Sequence, residues 1–174
     1  VPSFDPRTVL FCLGLSLGSL SVSGCGADAY ADLSGTVAGE TLKPEGYFWG
    51  GPFLIFTSKA YECIDMYWVK RGPTFETGVE PPVEDDIVAL LFTFEDSDVT
   101  EGNVSLEGDA PVDGRLLVIQ DGAMTVYRAE TGSLTIDEFT KKDAAVGSFD
   151  VGFDDGSMSG DFEVDWCTNM KTKD

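Results

Sequence analysis

The stretch AVGSFDVGFDDGSMSGDFEVDW, residues 145–166, limits the fold more than any other part of the chain. Phe149, Val151 and Phe153 alternate with small or polar residues, and Met158, Phe162, Val164 and Trp166 resume the alternation beyond Asp155-Gly156. A period of two is the mark of a strand with one buried face, and Asp-Gly favours the two-residue hairpin turn whose central positions need positive φ. Closing the turn on Asp155-Gly156 predicts Phe153 opposite Met158, Val151 opposite Gly160, Phe149 opposite Phe162 and Gly147 opposite Val164. All the apolar side chains then share one face. A slip of one residue would turn half of them toward water.

A second hairpin follows from GRLLVIQDGAMTVYR, residues 114–128, where Asp121-Gly122 is predicted to set Ile119 against Met124 and Leu117 against Val126. Further strands are expected in LSGTVAGE, PFLIFT, DIVALLFTFE, NVSLEG and GSLTIDEF. The third is apolar on both faces, which suits a central or covered strand. About eight or nine short strands with frequent turns predict a mainly β domain, an antiparallel β-sandwich, with a barrel as the alternative. One segment has the helical period instead: Ala60, Cys63, Ile64, Tyr67 and Trp68 line one face, Ser58 can cap the start, and Lys70-Arg71-Gly72-Pro73 suits the end. A short amphipathic helix is therefore expected near 59–71, covering an edge or an open end of the sheet. Trp68 and Trp166 are expected in the core. The acidic, turn-rich stretches FETGVEPPVEDD and EDSDVTEGNVSLEGDAPVDG read as surface loops.

Upstream, RTVLFCLGLSLGSL is an apolar run behind Arg7, too short for a bilayer span of about 20 apolar residues. Gly14 and Gly18 make it a poor buried helix. Small residues then lead to Val22-Ser23-Gly24-Cys25, a tetrapeptide that resembles the lipobox of bacterial prolipoproteins. The resemblance implies removal of residues 1–24 as a signal peptide and acylation of Cys25, followed by a short tether over 25–32 and a single all-β domain over 33–174. More than one acyl chain on one cysteine gives lasting anchorage, where a single chain binds only marginally. Gly26 and Ala27 behind the cysteine, with no Asp directly after it, imply the outer membrane by the same resemblance.

The chain holds 31 acidic residues against 11 basic ones, a formal net charge of −20. That excess argues against nucleic acid as a partner and against adhesion to anionic headgroups. Its expected use is solubility and mutual repulsion at a crowded surface. Hydrophobic residues at 43% supply a genuine core, which sets the chain apart from an acidic disordered tail. The tail GSLTIDEF…VGSFDVGFDDGSMSGDFEVDWC is similar to the endings of uncharacterised acidic all-β lipoproteins of myxobacterial type. What that implies is a β-sandwich of unknown function, with no catalytic residues to transfer.

Chemistry is sparse. The chain has no histidine, which removes Ser-His and Cys-His nucleophiles and most zinc or iron sites. Gly14-Leu15-Ser16-Leu17-Gly18 matches a nucleophile elbow in letters only, since it lies in the leader. A carboxylate-pair hydrolase would need two acids that no spacing singles out. Calcium needs only oxygen ligands. Asp96 and Asp98 in DSDVTEGN are candidate ligands, although Glu101 occupies the place of the turn glycine; Asp154, Asp155 and Asp161 are the other candidates. No other cofactor is expected. Tyr47, Phe48 and Trp49, set among glycines as on a loop, are candidate ligand-binding rings, and core packing is the favoured expectation for them.

Cysteine arithmetic closes the inventory. With Cys12 in the leader and Cys25 acylated, Cys63 and Cys167 remain, and an oxidising envelope predicts a disulfide between them. The function expected from all of this is a lipid-anchored, non-catalytic envelope protein with an interaction or structural role toward a protein or glycan partner. A carbohydrate- or calcium-binding module is the alternative.

Overall fold

The computed structural model describes residues 29–60, 86–94 and 100–167. Over these the chain forms β1 (Tyr30–Val37), β2 (Gly46–Gly50), β3 (Phe53–Thr57), β4 (Ile87–Phe94), β5 (Gly102–Ser105), β6 (Val112–Gln120), β7 (Ala123–Arg128), β8 (Thr131–Phe139), β9 (Ala144–Phe153) and β10 (Gly156–Asp165). Two five-stranded sheets result, ordered β1-β10-β9-β8-β5 and β2-β3-β4-β6-β7, and every pairing within them is antiparallel. Among the described residues each sheet ends in two edge strands and neither closes on itself, so the architecture is a sandwich and not the barrel held as its alternative. No helix occurs among the described residues. The helix expected near 59–71 falls almost wholly outside them, as does Trp68.

The strands of the second sheet lie steeply across those of the first. β2 sits over one end of the first sheet, where the Tyr47 hydroxyl donates to the Ala29 carbonyl at 2.8 Å and the Trp49 ring meets Trp166 and Phe139. β6 lies across the opposite end: Gln120 Nε2 donates to Glu40 Oε1 beyond the close of β1, and Gly114 packs under Leu106 at the close of β5. Such crossed packing leaves corners that connecting segments must turn. Ala129-Glu130 is one, with Ala129 N–H on the Gly114 carbonyl and Glu130 N–H on the Gly152 carbonyl.

Between the sheets, Phe56, Phe92, Phe149 and Phe162 form the centre, with ring centroids 5.2–5.7 Å apart. β4 explains why one segment is apolar on both faces. Leu90, Phe92 and Phe94 point into this core, while Ile87, Ala89 and Leu91 join Ile55, Leu117, Ile119 and Cys167 in a second buried cluster on the other face of the same sheet. Burying both faces of a central strand removes any need for polar alternation.

The two Asp-Gly hairpins behave differently. Asp121 (φ 51°) and Gly122 (φ 75°) both occupy positive φ, and Ile119 pairs with Met124 and Leu117 with Val126, the register predicted from sequence. At the other hairpin the turn residues are Asp154-Asp155, and Gly156 is drawn into β10 opposite Phe153. Met158 therefore pairs with Val151, and Phe162 with Gly147, instead of with Phe153 and Phe149 as expected. The apolar residues still share a face, because the pairing moves by two positions. The cause lies in the neighbouring strand. Gly156 adopts φ 132°, and a Cβ there would run into the Thr36 carbonyl of β1. The glycine serves a close strand approach instead of the tip of the turn.

Candidate functional site

Asp113, Arg115 and Arg128 form the best-defined polar constellation. The β6–β7 register sets Arg115 directly opposite Arg128, and Asp113 stands two residues before Arg115 on the same face of β6. Its Oδ2 accepts from Arg115 Nε at 2.6 Å and its Oδ1 from Arg128 Nε at 2.9 Å, so one carboxylate bridges two guanidiniums. The Asp113 side chain is 16% exposed, Arg115 31% and Arg128 71%, which grades the group from half-buried anchor to solvent-facing cation. Charge-assisted pairs of this kind are the stronger class of hydrogen bond, and they hold the planar groups in place.

Beside this cluster, the β5–β6 connection and the β7–β8 corner enclose an open cleft of about 340 Å³. Leu106, Val112 and Ala129 form its apolar floor, and Asp109, Asp113, Arg128 and Glu130 supply charge of both signs. The cleft can hold a small polar molecule through donors and acceptors. Among the described residues that line it there is no aromatic ring on which a sugar could stack.

None of these residues was a candidate from sequence, although a signal existed. Arg115 and Arg128 are equidistant from the Asp121-Gly122 turn, so the predicted register already set two cations face to face. Like charges directly opposite are destabilising unless an anion lies between them, and Asp113 is the acid in reach.

The candidates named from sequence fare as follows. Tyr47, Phe48 and Trp49 lie on β2 and not on a loop. Trp49 is 3% exposed and packs edge-on against Phe139 at 4.6 Å and Trp166 at 4.2 Å, so it is a core residue and cannot stack on a ligand. Its Nε1 is buried with no hydrogen-bond partner among the described residues. Tyr47 is half-buried and packs against the main core, and Phe48 packs on the second cluster. The misplacement has a clear cause: Gly46, Gly50 and Gly51 suggested a loop, whereas Trp49 is held in the sheet by strand pairing to Leu54 and a bridge to Trp166.

Asp154 and Asp155 occupy the β9–β10 turn, but Asp161 lies five residues along β10 from Gly156, roughly 17 Å away at ~3.3 Å per residue. The three acids therefore do not assemble into one ligand set. Asp161 instead stands directly opposite Asp32 of β1. Among the described residues no three acidic or cysteine side chains come together as a metal site. Asp96 and Asp98 lie outside the described residues, as do Cys25 and Cys63. Cys167 is completely buried and disulfide-bonded. Its N–H donates to the Trp49 carbonyl at 2.8 Å.

β1 opens at Tyr30, so the expected tether over 25–32 overlaps the first strand by its last three residues. No protein-family model, no curated protein and no solved structure matches this chain.

Proposed function

We propose that the chain is a lipid-anchored β-sandwich of a bacterial cell envelope, held through Cys25 and acting by non-covalent interaction without catalysis. The observation that carries this is the position of Val22-Ser23-Gly24-Cys25, between an apolar run and the first strand. Only Gly26, Ala27, Asp28 and Ala29 separate Cys25 from β1, a reach of roughly 17 Å even when fully extended. A domain on so short a leash works at the membrane surface, and its acidic exterior keeps it from settling on anionic lipid. The outer membrane is the proposed location. Replacing Cys25 by Ala tests the anchor: the variant is expected to leave the detergent phase in which the parent partitions, and equal recovery of both in detergent refutes it.

The cleft favours a second function, a module that binds a small polar or saccharide ligand between Asp109, Glu130 and Arg128. Calorimetry with short acidic and neutral oligosaccharides, on parent and Arg128→Ala, tests it. Heat of binding that disappears in the variant supports the module, and no heat with any of them removes it. A calcium-dependent rise in Tm would support a cation site in the same class of module.

A further inference from the structure

We propose that β7 is a self-association edge, along which two copies of the chain pair antiparallel about Thr125 and join their second sheets into one. The four sheet edges are unequal. β5 is only four residues long, β2 is covered at Trp49 by the Cys167 backbone, and β1 carries the carboxylate of Asp32 at its third residue. Short length, cover and charge are the usual protections of an edge.

Among the described residues β7 has none of them. Its sequence AMTVYR contains no proline, and its only charge is at the last residue. No bulge interrupts its pairing with β6. Among the described residues, no backbone hydrogen bond reaches β7 from any strand but β6. Val126 is 37% exposed, one of two large hydrophobic residues exposed to that degree among the described residues. Met124 beside it is continuous with the second buried cluster.

Charge selects a second copy as the occupant. A chain of net charge −20 repels itself over most of its surface. Within the β6–β7 hairpin the charge is balanced, because Asp113 and Asp121 are matched there by Arg115 and Arg128. Two copies can meet at this neutral patch without setting acid against acid.

The pairing is also self-complementary. A two-fold axis perpendicular to the sheet keeps each face on its own side, so residues of like parity must oppose one another. Centring the axis on Thr125 sets Met124 against Val126 of the second copy, and Ala123 against its Tyr127. No charged residue then faces a like charge.

Cysteine capture on cells expressing the full chain tests this. Thr125→Cys places two thiols at the axis, and mild oxidation is expected to yield a covalent dimer absent from the parent. Ser105→Cys on β5 and Thr36→Cys on β1 are the edge controls, expected to stay at the parent's level. Adding Val126→Asp to Thr125→Cys is expected to lower the yield roughly tenfold, equivalent to ~1.4 kcal/mol. A Thr125→Cys chain that remains monomeric, or dimers of equal yield from the β1 and β5 controls, overturns the proposal.

Discussion

Arg115 and Arg128 face each other across the β6–β7 hairpin, and the carboxylate of Asp113 lies between them, 2.6 Å from one Nε and 2.9 Å from the other. Without the shared anion the two opposed cations would destabilise that register. Asp113→Asn should cost about 1–2 kcal/mol, because it removes two charge-assisted bonds and leaves two cations opposed. The value stays at the lower end of that class since Arg128 is 71% exposed and screened by solvent. Urea unfolding of D113N and of the double variant D113N/R128Q checks it. The double variant should recover part of the loss, since one of the opposed cations is gone, and a D113N midpoint equal to the parent's refutes it.

The two hairpin glycines should separate by substitution. A Cβ on Gly122 meets no atom within 4 Å, so Gly122→Ala bears only the strain of φ 75°. About 1 kcal/mol is expected. Gly156→Ala adds a collision with the Thr36 carbonyl of β1 to its own positive φ. Roughly 2–3 kcal/mol is expected there. Equal melting shifts for the two variants would mean that β1 does not approach β10 so closely.

These glycines also mark what could be read from sequence. At Asp121-Gly122 local turn chemistry and hydrophobic pattern agree with the fold, and the register follows from them directly. At Asp155-Gly156 the same dipeptide is overruled by a strand from the other end of the chain, β1, which no local pattern reveals. β2 was missed for a related reason. Its glycines read as loop, while the contacts that hold Trp49, to Phe139 and Trp166, come from residues far along the chain. The Asp113 cluster was within reach, since it needs only the β6–β7 register, whereas the cleft beside it depends on how the two sheets cross.

Asp32 and Asp161 are Cα partners across β1 and β10, both exposed, with their carboxylates on the same face. Like charges directly opposite cost roughly 0.2–1 kcal/mol. Asp161→Asn should therefore stabilise the domain by that amount in dilute buffer and by less at 1 M salt, where the Debye length falls to about 3 Å. A loss of stability on this substitution would show that the pair is held by a bound cation instead of merely tolerated.

Trp49 should behave as a packing residue. Its ring fills the space between Phe139 and Trp166 at one end of the sandwich, and its Nε1 has no partner among the described residues. Trp49→Ala should cost about 3–5 kcal/mol through the cavity it leaves. Trp49→Phe should cost much less, because the lost volume is offset in part by removal of a buried, unpaired N–H. Thermal melts of the two variants check the order, and similar losses from both would point to a hydrogen bond at Nε1.

Cys167 lies two residues beyond the last strand at a junction of three elements: its N–H is bonded to Trp49 of β2, its side chain lies in the second cluster with Ile55 and Leu91, and its sulfur is in a disulfide. We expect Cys63 to be the other half, because on the proposed lipoprotein reading Cys12 would leave with the leader and Cys25 would be acylated. Tying the chain after β3 to the end of β10 closes a loop of roughly a hundred residues, a constraint of about 4–5 kcal/mol on the unfolded chain in the entropy model. Cys167→Ala should lose more than a simple small-residue replacement in a core would, and reduction of the parent should lower its Tm to near that of the variant. Non-reducing peptide maps of the purified protein decide the pairing. A single peptide pair joining Cys63 to Cys167 supports it, while a Cys63 that alkylates freely without reductant assigns Cys167 another partner.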